Sequence, residues 1–343
     1  MPDKKSPETK KLVPGSIEEL KMLRGAAKKE LSREYDMIVI GAGCAGYSAA
    51  IYAARFNMSV LVIGKLRGGL ITTTHLVENY PPLGSVSGPD MMDQFEKHVR
   101  MFDIPILEDE ALDVGSKAPC FKVTTKRNGE FIGKTIVFAT GTEHKKLGVP
   151  GEKELANHGV SYCATCDAAF FKNKNVCVVG GSDSAAKEAL LLAEHCKKVY
   201  IIYRGDKIRP EPVNGLLVDE RVKNGKMEII NNTNVTEING AKIVESVTLD
   251  KPYNGSDKLA LDGVFIEIGG IPQSGMAQKL GVKLNDKGEI LIDREARTNV
   301  EGVYGAGDVC DTRFKQAITG AAEGVFAAFS AYTYLGGKKI VCM

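Results

Sequence analysis

A strand, a glycine-rich turn and a helix occur in succession twice, from Tyr35 and again from Asn175. This repetition predicts an α/β fold with two Rossmann-like dinucleotide-binding domains. Length and composition agree: 343 residues suffice for two cores, and 43% hydrophobic and 26% charged residues describe a globular chain.

Residues 1–34 are Lys/Glu-rich. Ser16-Ile-Glu-Glu19 offers a capping box, and Leu20, Leu23 and Leu31 form a partial apolar stripe, which predicts a surface helix on an N-terminal extension.

The organised chain begins at Tyr35–Ile40, an apolar run rich in branched residues. Gly41-Ala42-Gly43-Cys44-Ala45-Gly46 follows, then a helix to Arg55 and a second strand at Ser59–Ile63. In such a turn the first glycine permits the bend, the second lets backbone approach a pyrophosphate, and the third lets helix pack on strand. No Asp or Glu occurs from Met37 to Val77, so the acid that usually holds an adenosine ribose is missing. That favours FAD over NAD at this first site.

The second copy runs from the strand Asn175–Val179 through Gly180-Gly181-Ser182-Asp183-Ser184-Ala185 into a helix, Ala186 to His195, and the strand Val199–Tyr203. Arg204 and Arg209 follow where an acid would select NAD. Guanidinium groups there suit a 2′-phosphate and favour NADP; the alternative is ordinary surface arginines. Ser182 puts a side chain where the backbone should come closest to phosphate, although its hydroxyl can still hydrogen-bond.

Between the copies stands Cys163-Ala-Thr-Cys166-Asp167. A four-thiolate zinc site would need distant helpers, so a redox dithiol is the natural reading, and no metal is expected. Helix amides at such a position lower thiol pKa. Asp167 fits two roles, proton transfer to a leaving thiolate or capping of the next helix. Of the eight cysteines the other six read as packing residues, and Cys342, with no cysteine neighbour in sequence, as an incidental exposed thiol.

A formal charge of +2 gives no reason to expect nucleic acid or an anionic membrane surface. With no long apolar run and a polar, Lys-rich start, a cytoplasmic protein is expected.

The order of these motifs resembles low-molecular-weight thioredoxin reductases over roughly residues 35 to 335. Gly68-Gly69, Glu78-Asn79-Tyr-Pro, Ala139-Thr140-Gly141, Gly305-Ala-Gly307-Asp308 and Lys315-Gln316-Ala317 carry the resemblance further. It implies a discontinuous FAD domain (35–148 and 272–343), with an NAD(P)H domain (149–271) bearing the redox pair inserted into it. It also implies a homodimer and a thioredoxin- or glutaredoxin-like partner. Gly41, Ala42, Gly43, Ala45, Gly46, Gly69, Leu70, Asn79, Thr140, Gly141, Asp308, Lys315, Gln316 and Ala317 would hold FAD. Gly180, Gly181, Ser182, Asp183, Ser184, Arg204 and Arg209 would hold NADPH.

By that resemblance Cys166 faces the flavin and Cys163 exchanges with the partner. For Asp308 the alternative is a turn-stabilising carboxylate. The sequence departs from the family pattern at Ser182, at Tyr203-Arg204-Gly205 for His-Arg-Arg, at Leu70 for Gln, at Ala168 for Gly and at Lys315 for Arg. The departures near the nicotinamide site keep NADH, a reduced deazaflavin or ferredoxin open as donors. A non-catalytic redox sensor is a third reading.

Overall fold

In the computed structural model, residues 31–337 and 340–342 are described. The surface helix expected within the N-terminal extension 1–34 falls on residues that lie almost wholly outside them. The chain divides into two compact units. In chain order the elements are β1 (Glu34–Ile40), α1 (Cys44–Arg55), β2 (Val60–Ile63), α2 (Gly88–Met101), β3 (Ile106–Leu107), β4 (Ala111–Lys117), β5 (Cys120–Thr125) and β6 (Gly129–Phe138). There follow β7 (Thr142–His144), β8 (Val160–Ser161), α3 (Ala164–Asp167), β9 (Asn175–Val179), α4 (Asp183–His195), β10 (Lys198–Ile202), α5 (Pro212–Lys223) and β11 (Met227–Ile230). The rest are β12 (Val235–Asn239), β13 (Ser246–Tyr253), β14 (Ser256–Ala260), β15 (Gly263–Ile266), β16 (Gly270–Pro272), α6 (Gly275–Lys279), β17 (Val303–Gly305) and α7 (Ala317–Gly336).

Unit 1 gathers the described residues up to Gly69 with Met92–Thr140 and those from Ser274 onward. Its sheet runs β3-β2-β1-β6-β5-β4, and β17 pairs with the C-terminal half of β6. Strands β1, β2, β3, β6 and β17 are parallel, while β4 and β5 form an antiparallel ribbon on β6. The parallel part is apolar on both faces, as a sheet covered on both sides requires. Ile38, Ile40, Leu61, Ile136 and Phe138 form its core with Val303.

Gly41 has φ +121, and a Cβ on it would lie 2.0 Å from the carbonyl oxygen of Ala139. Only glycine fits there. A Cβ on Gly46 would lie 2.0 Å from the carbonyl oxygen of Gly41, so the start of α1 sits directly on the turn.

Unit 2 comprises Leu70–Met91 and Gly141–Gln273. The boundaries read from sequence leave 70–91 with the first domain; here the 3-10 turn Leu70–Thr73 packs on α3. Its main sheet is fully parallel, in the order β11-β10-β9-β15-β8. One face carries Val178, Ile201 and Phe265 against Ala185, Ala189 and Leu192 of α4. The other carries Cys177, Val179 and Val264 against the meander β12-β13-β14, through Ile238, Val247 and Leu249. An antiparallel ribbon of β7 and β16 lies at the two ends of the longer segment, Gly141–Gln273.

Among the described residues, no helix is long and apolar enough to cross a membrane. Nor, among the described residues, is any group of three or more His, Cys, Asp or Glu side chains placed to hold a metal ion.

Candidate functional site

Cys163 and Cys166 are joined as a disulfide, with Cα atoms 5.3 Å apart. Cys163 is the N-cap of the single turn α3, and its Sγ accepts from the backbone N–H of Cys166 at 3.1 Å. A thiolate at Cys163 would keep that hydrogen bond, which favours its charged form. Within unit 2, Cys166 is exposed and Cys163 half-buried, its sulfur 4.0 Å from the carbonyl oxygen of Thr73.

Carboxylates surround this turn. Asp167 accepts from the Ser161 hydroxyl at 2.7 Å, and Ser161 Oγ in turn accepts from the N–H of Cys163 at 3.1 Å. Glu188, on the second turn of α4, accepts from the N–H of Ala164 at 3.0 Å, while its Oε2 is buried with no hydrogen-bond partner. Burial, together with the charge of Asp167, pushes the Glu188 carboxyl up to about 7. Glu267, at the end of β15, is pushed up to about 8 by burial and by Glu188. His144 Nδ1 lies 3.6 Å from Glu267, and burial lowers its pKa, so the imidazole is neutral at pH 7. Two carboxyl groups that burial holds toward the protonated form and a neutral imidazole therefore sit in the unit that carries the disulfide.

Ser161, Glu188 and Glu267 escape the sequence reading. A glutamate on a helix reads as solvated, and only its spacing within α4, which puts it on the Ala185–Ala189–Leu192 side, hints otherwise.

The second glycine turn is built as expected, with modifications. Gly180 has φ +154, and a Cβ there would lie 2.2 Å from the carbonyl oxygen of Glu267. Ser182 is the N-cap of α4 and its Oγ accepts from the N–H of Ala185 at 3.4 Å, so α4 begins three residues earlier than read from sequence. Asp183 accepts from the Glu211 N–H and the Asn214 side chain and pairs with Lys187 at 3.0 Å, contacts that hold its carboxyl below the usual range despite burial. It ties α4 to the start of α5.

Arg204 and Arg209 are exposed, as are Ser182 and Ser184. The Arg209 N–H donates to the carbonyl of Gly181 at 2.7 Å, folding the arginine loop back onto the glycine turn. Gly205 has a physical cause: a Cβ there would lie 2.6 Å from the Tyr203 ring, which also fills the space beside Gly181.

In unit 1 most residues assigned to FAD converge on the start of α1. Gly43 has no side chain with which to cap α1, and a Cβ there would meet only the backbone of Gly68 and Gly69, at 3.8 and 3.9 Å. Thr140 borders Gly41, and the N–H of Gly68 donates to Ala42 at 3.0 Å. Gly307 approaches Ala45, as do Gly320 and Gly324 of α7. This brings Asp308 and the Gln316–Ala317 start of α7 to the same turn. Leu70, Asn79 and Gly141 fall instead in unit 2.

Asp308 is half-buried, and burial raises its carboxyl pKa while Lys315 opposes the rise. Lys315 pairs with Glu289 at 2.5 Å and donates to the Asp308 carbonyl at 2.8 Å. Glu323 of α7 accepts from the N–H of Gly307 at 2.7 Å and from Thr312. Glu323 and Glu289 are further residues the sequence reading misses.

One correction concerns the cysteines. Cys44, Cys177, Cys196 and Cys310 are buried free thiols, as packing residues should be. Cys342 is bonded to Cys120, with Cα atoms 5.6 Å apart, and is no incidental thiol. A separation of 222 residues hides that pairing from any local pattern.

Helix amides exposed at glycine turns serve nucleotides, and a vicinal cysteine pair gives electrons a destination; together they define a nucleotide-dependent disulfide oxidoreductase. The family model for pyridine nucleotide-disulphide oxidoreductases matches residues 35–324, and the chain belongs to that family. It is 39% identical over 308 residues to a thioredoxin reductase of Listeria innocua, covering 89% of this chain and 95% of that protein. To a thioredoxin reductase of Treponema pallidum it is 37% identical over 308 residues, covering 89% and 98%. Among solved structures it resembles Lactococcus lactis thioredoxin reductase in the FR conformation (TM-score 0.83, 34% identity, 89% of this chain and 100% of that one). The T. acidophilum thioredoxin reductase superposes equally well (TM-score 0.83, 37% identity, 88% and 99%).

Proposed function

We propose that this chain is an FAD-dependent thioredoxin-disulfide reductase of the cytoplasm. It takes electrons from NADPH and passes them through Cys163 and Cys166 to a thioredoxin- or glutaredoxin-like protein. The observation that carries this reading is the Cys163–Cys166 disulfide, with a backbone amide on Cys163 and Asp167 beside it. The thioredoxin reductases named above supply the substrate class.

The residues at the start of α1 fit FAD. The open backbone at Gly43 and Gly69 admits a pyrophosphate, the uncapped first turn of α1 offers amides, and Asp308 suits ribitol hydroxyls. FAD, when bound, supplies the relay between a nicotinamide and a disulfide. Unit 1 is thus the FAD domain. Unit 2 is the NAD(P)H domain, with Gly180, Gly181, Ser184, Arg204 and Arg209 toward the nucleotide.

In the reduced chain, the Cys163 thiolate attacks the partner disulfide, and one partner sulfur leaves with a proton from Asp167. Cys166 then attacks Cys163 in the mixed disulfide, re-forming the Cys163–Cys166 bond and releasing the second partner thiol. Phe170, 75% exposed four residues after Cys166, gives such a partner an apolar foothold. Exposed Phe326, Phe329 and Tyr332 on α7, with Phe56 stacked on Tyr332 at 4.8 Å, favour a homodimer through that face.

A second reading, the same chemistry with a donor other than a nicotinamide, is favoured by the Ser182 cap on α4 and the missing basic side chain at Gly205. Anaerobic titration of the purified protein separates the two. Bleaching of the flavin by NADPH, followed by thioredoxin thiol release, is the expected result. Yellow protein inert to NADPH and NADH would select the second reading, and colourless protein would sink both.

A further inference from the structure

Unit 1 holds a cysteine pair for which the reductase chemistry has no use. Cys120 opens β5, and Lys117 faces it across the β4–β5 ribbon. It is 1% exposed. Cys342 lies beyond α7, in an irregular stretch where Val341 is 60% exposed. The sulfur bond ties that stretch to β5.

We propose that Cys120–Cys342 is a second, exchangeable disulfide: a redox-set clasp that fastens the segment after α7 onto β5 and responds to external dithiol/disulfide couples. This goes beyond the reductase reading and does not rest on it. The four remaining cysteines differ in having no sulfur partner. All four are buried free thiols, and burial raises them, Cys44 to about 12 and Cys196 to about 11, so they yield almost no thiolate for exchange.

Access fixes the direction of the chemistry. Cys120 Sγ is sealed, so an incoming thiolate attacks Cys342 Sγ. The Cys120–Cys342 bond breaks, a bond from Cys342 to the reagent forms, and Cys120 leaves as a thiolate that takes a proton. With a dithiol reagent, its second sulfur attacks the mixed disulfide and departs as a cyclic disulfide, leaving two cysteine thiols and an oxidised reagent. Closure is the reverse: the two thiols reduce an external disulfide to two thiols. Because the bond joins residues 222 apart, it also removes much freedom from the unfolded chain.

Thiol counting and peptide mapping on the flavin-loaded protein test this. Air-oxidised protein, denatured and alkylated without reductant, should take up four iodoacetamide labels, on the free cysteines. Trypsin should yield the peptide Ala118–Lys122 cross-linked to the peptide that starts at Ile340. Dithiothreitol added to the native protein should remove that cross-link before denaturation. In Cys120→Ser, glutathione disulfide should modify Cys342; in Cys342→Ser, Cys120 should stay unmodified until the chain is unfolded. Cys342→Ser should fold, keep its disulfide-reductase rate and melt ~5 °C below the oxidised parent. Cys342 labelled in oxidised protein, or a cross-link that dithiothreitol opens only in denaturant, overturns the proposal.

Discussion

Ser161 and Asp167 are hydrogen-bonded at 2.7 Å across the redox turn, and the same serine oxygen accepts from the N–H of Cys163. The carboxylate that follows the second cysteine is thus aimed by a residue that precedes the first. If Asp167 delivers the proton to a leaving thiolate, Ser161→Ala should slow thioredoxin reduction ~10-fold and Asp167→Asn ~100-fold. Flavin bleaching by the donor should keep its rate in both variants. Stopped-flow absorbance separates the two half-reactions, and an equal slowing of both would remove Asp167 from the exchange step.

The buried carboxyls make stability depend on pH. Glu188 and Glu267 both titrate above the ordinary value of 4.5, the upper one near 8. Between those limits the native chain keeps protons that the unfolded chain has lost, so stability falls as pH rises through that window and levels off above it. Glu267→Gln removes this penalty. Its melting temperature should match the parent near pH 4 and exceed it by ~3 °C at pH 8.5. A constant offset across the range would mean that Glu267 ionises freely.

Glu323 holds the Gly307 amide and Thr312 from α7. It therefore shapes the loop carrying Asp308. Glu323→Ala leaves a buried amide unpaired, at a cost of about 1–3 kcal/mol. The variant should purify with less than one flavin per chain and bind added FAD ~10-fold more weakly. Absorbance at the flavin band against total protein measures this.

On α7, Phe329 and Tyr332 are exposed one turn apart, and Tyr332 carries the Phe56 stack. A charge placed there should oppose self-association without touching either nucleotide turn. Phe329→Asp should shift the light-scattering mass from dimer to monomer, and an unchanged mass would place any dimer contact elsewhere.

Local chemistry is what the sequence displays well. The strand Asn175–Val179 has the limits read from residue pattern, and the glycine turns open where they were read, at Gly41 and Gly180, because branched apolar runs and glycine at positive φ leave few alternatives. The Cys163–Ala–Thr–Cys166 turn is equally legible. What sequence conceals is set by long-range register. Cys120 meets Cys342 only because the β4–β5 ribbon and the chain after α7 come together in unit 1. Glu188 is recognisable as a site residue only once the packing of α4 has buried it beside Ala164. Similarly, Leu70–Thr73 joins unit 2 through contacts with α3 that no local pattern announces.

The input side carries the sharpest consequence. At a helix start that binds phosphate, the first-turn amides should be free and no anion should stand nearby. In α4 the Ser182 hydroxyl already accepts from Ala185, and Asp183, held ionised by Asn214, Glu211 and Lys187, adds negative charge. Both oppose a pyrophosphate. Ser182→Gly frees the amide and lets the backbone come closer, at a cost of only about a few tenths of a kcal/mol in helix capping. It should lower KM for NADPH and NADH alike, each ~5-fold, with kcat little changed, because the pyrophosphate is common to both. Arg204→Ala should instead raise KM for NADPH ~10-fold and leave that for NADH nearly unaltered, since only the former carries a 2′-phosphate. Steady-state kinetics with both nucleotides checks the pair of variants together. If Ser182→Gly improves neither nucleotide and Arg204→Ala discriminates between none, the turn before α4 does not bind a nicotinamide donor, and electrons enter this protein by another route.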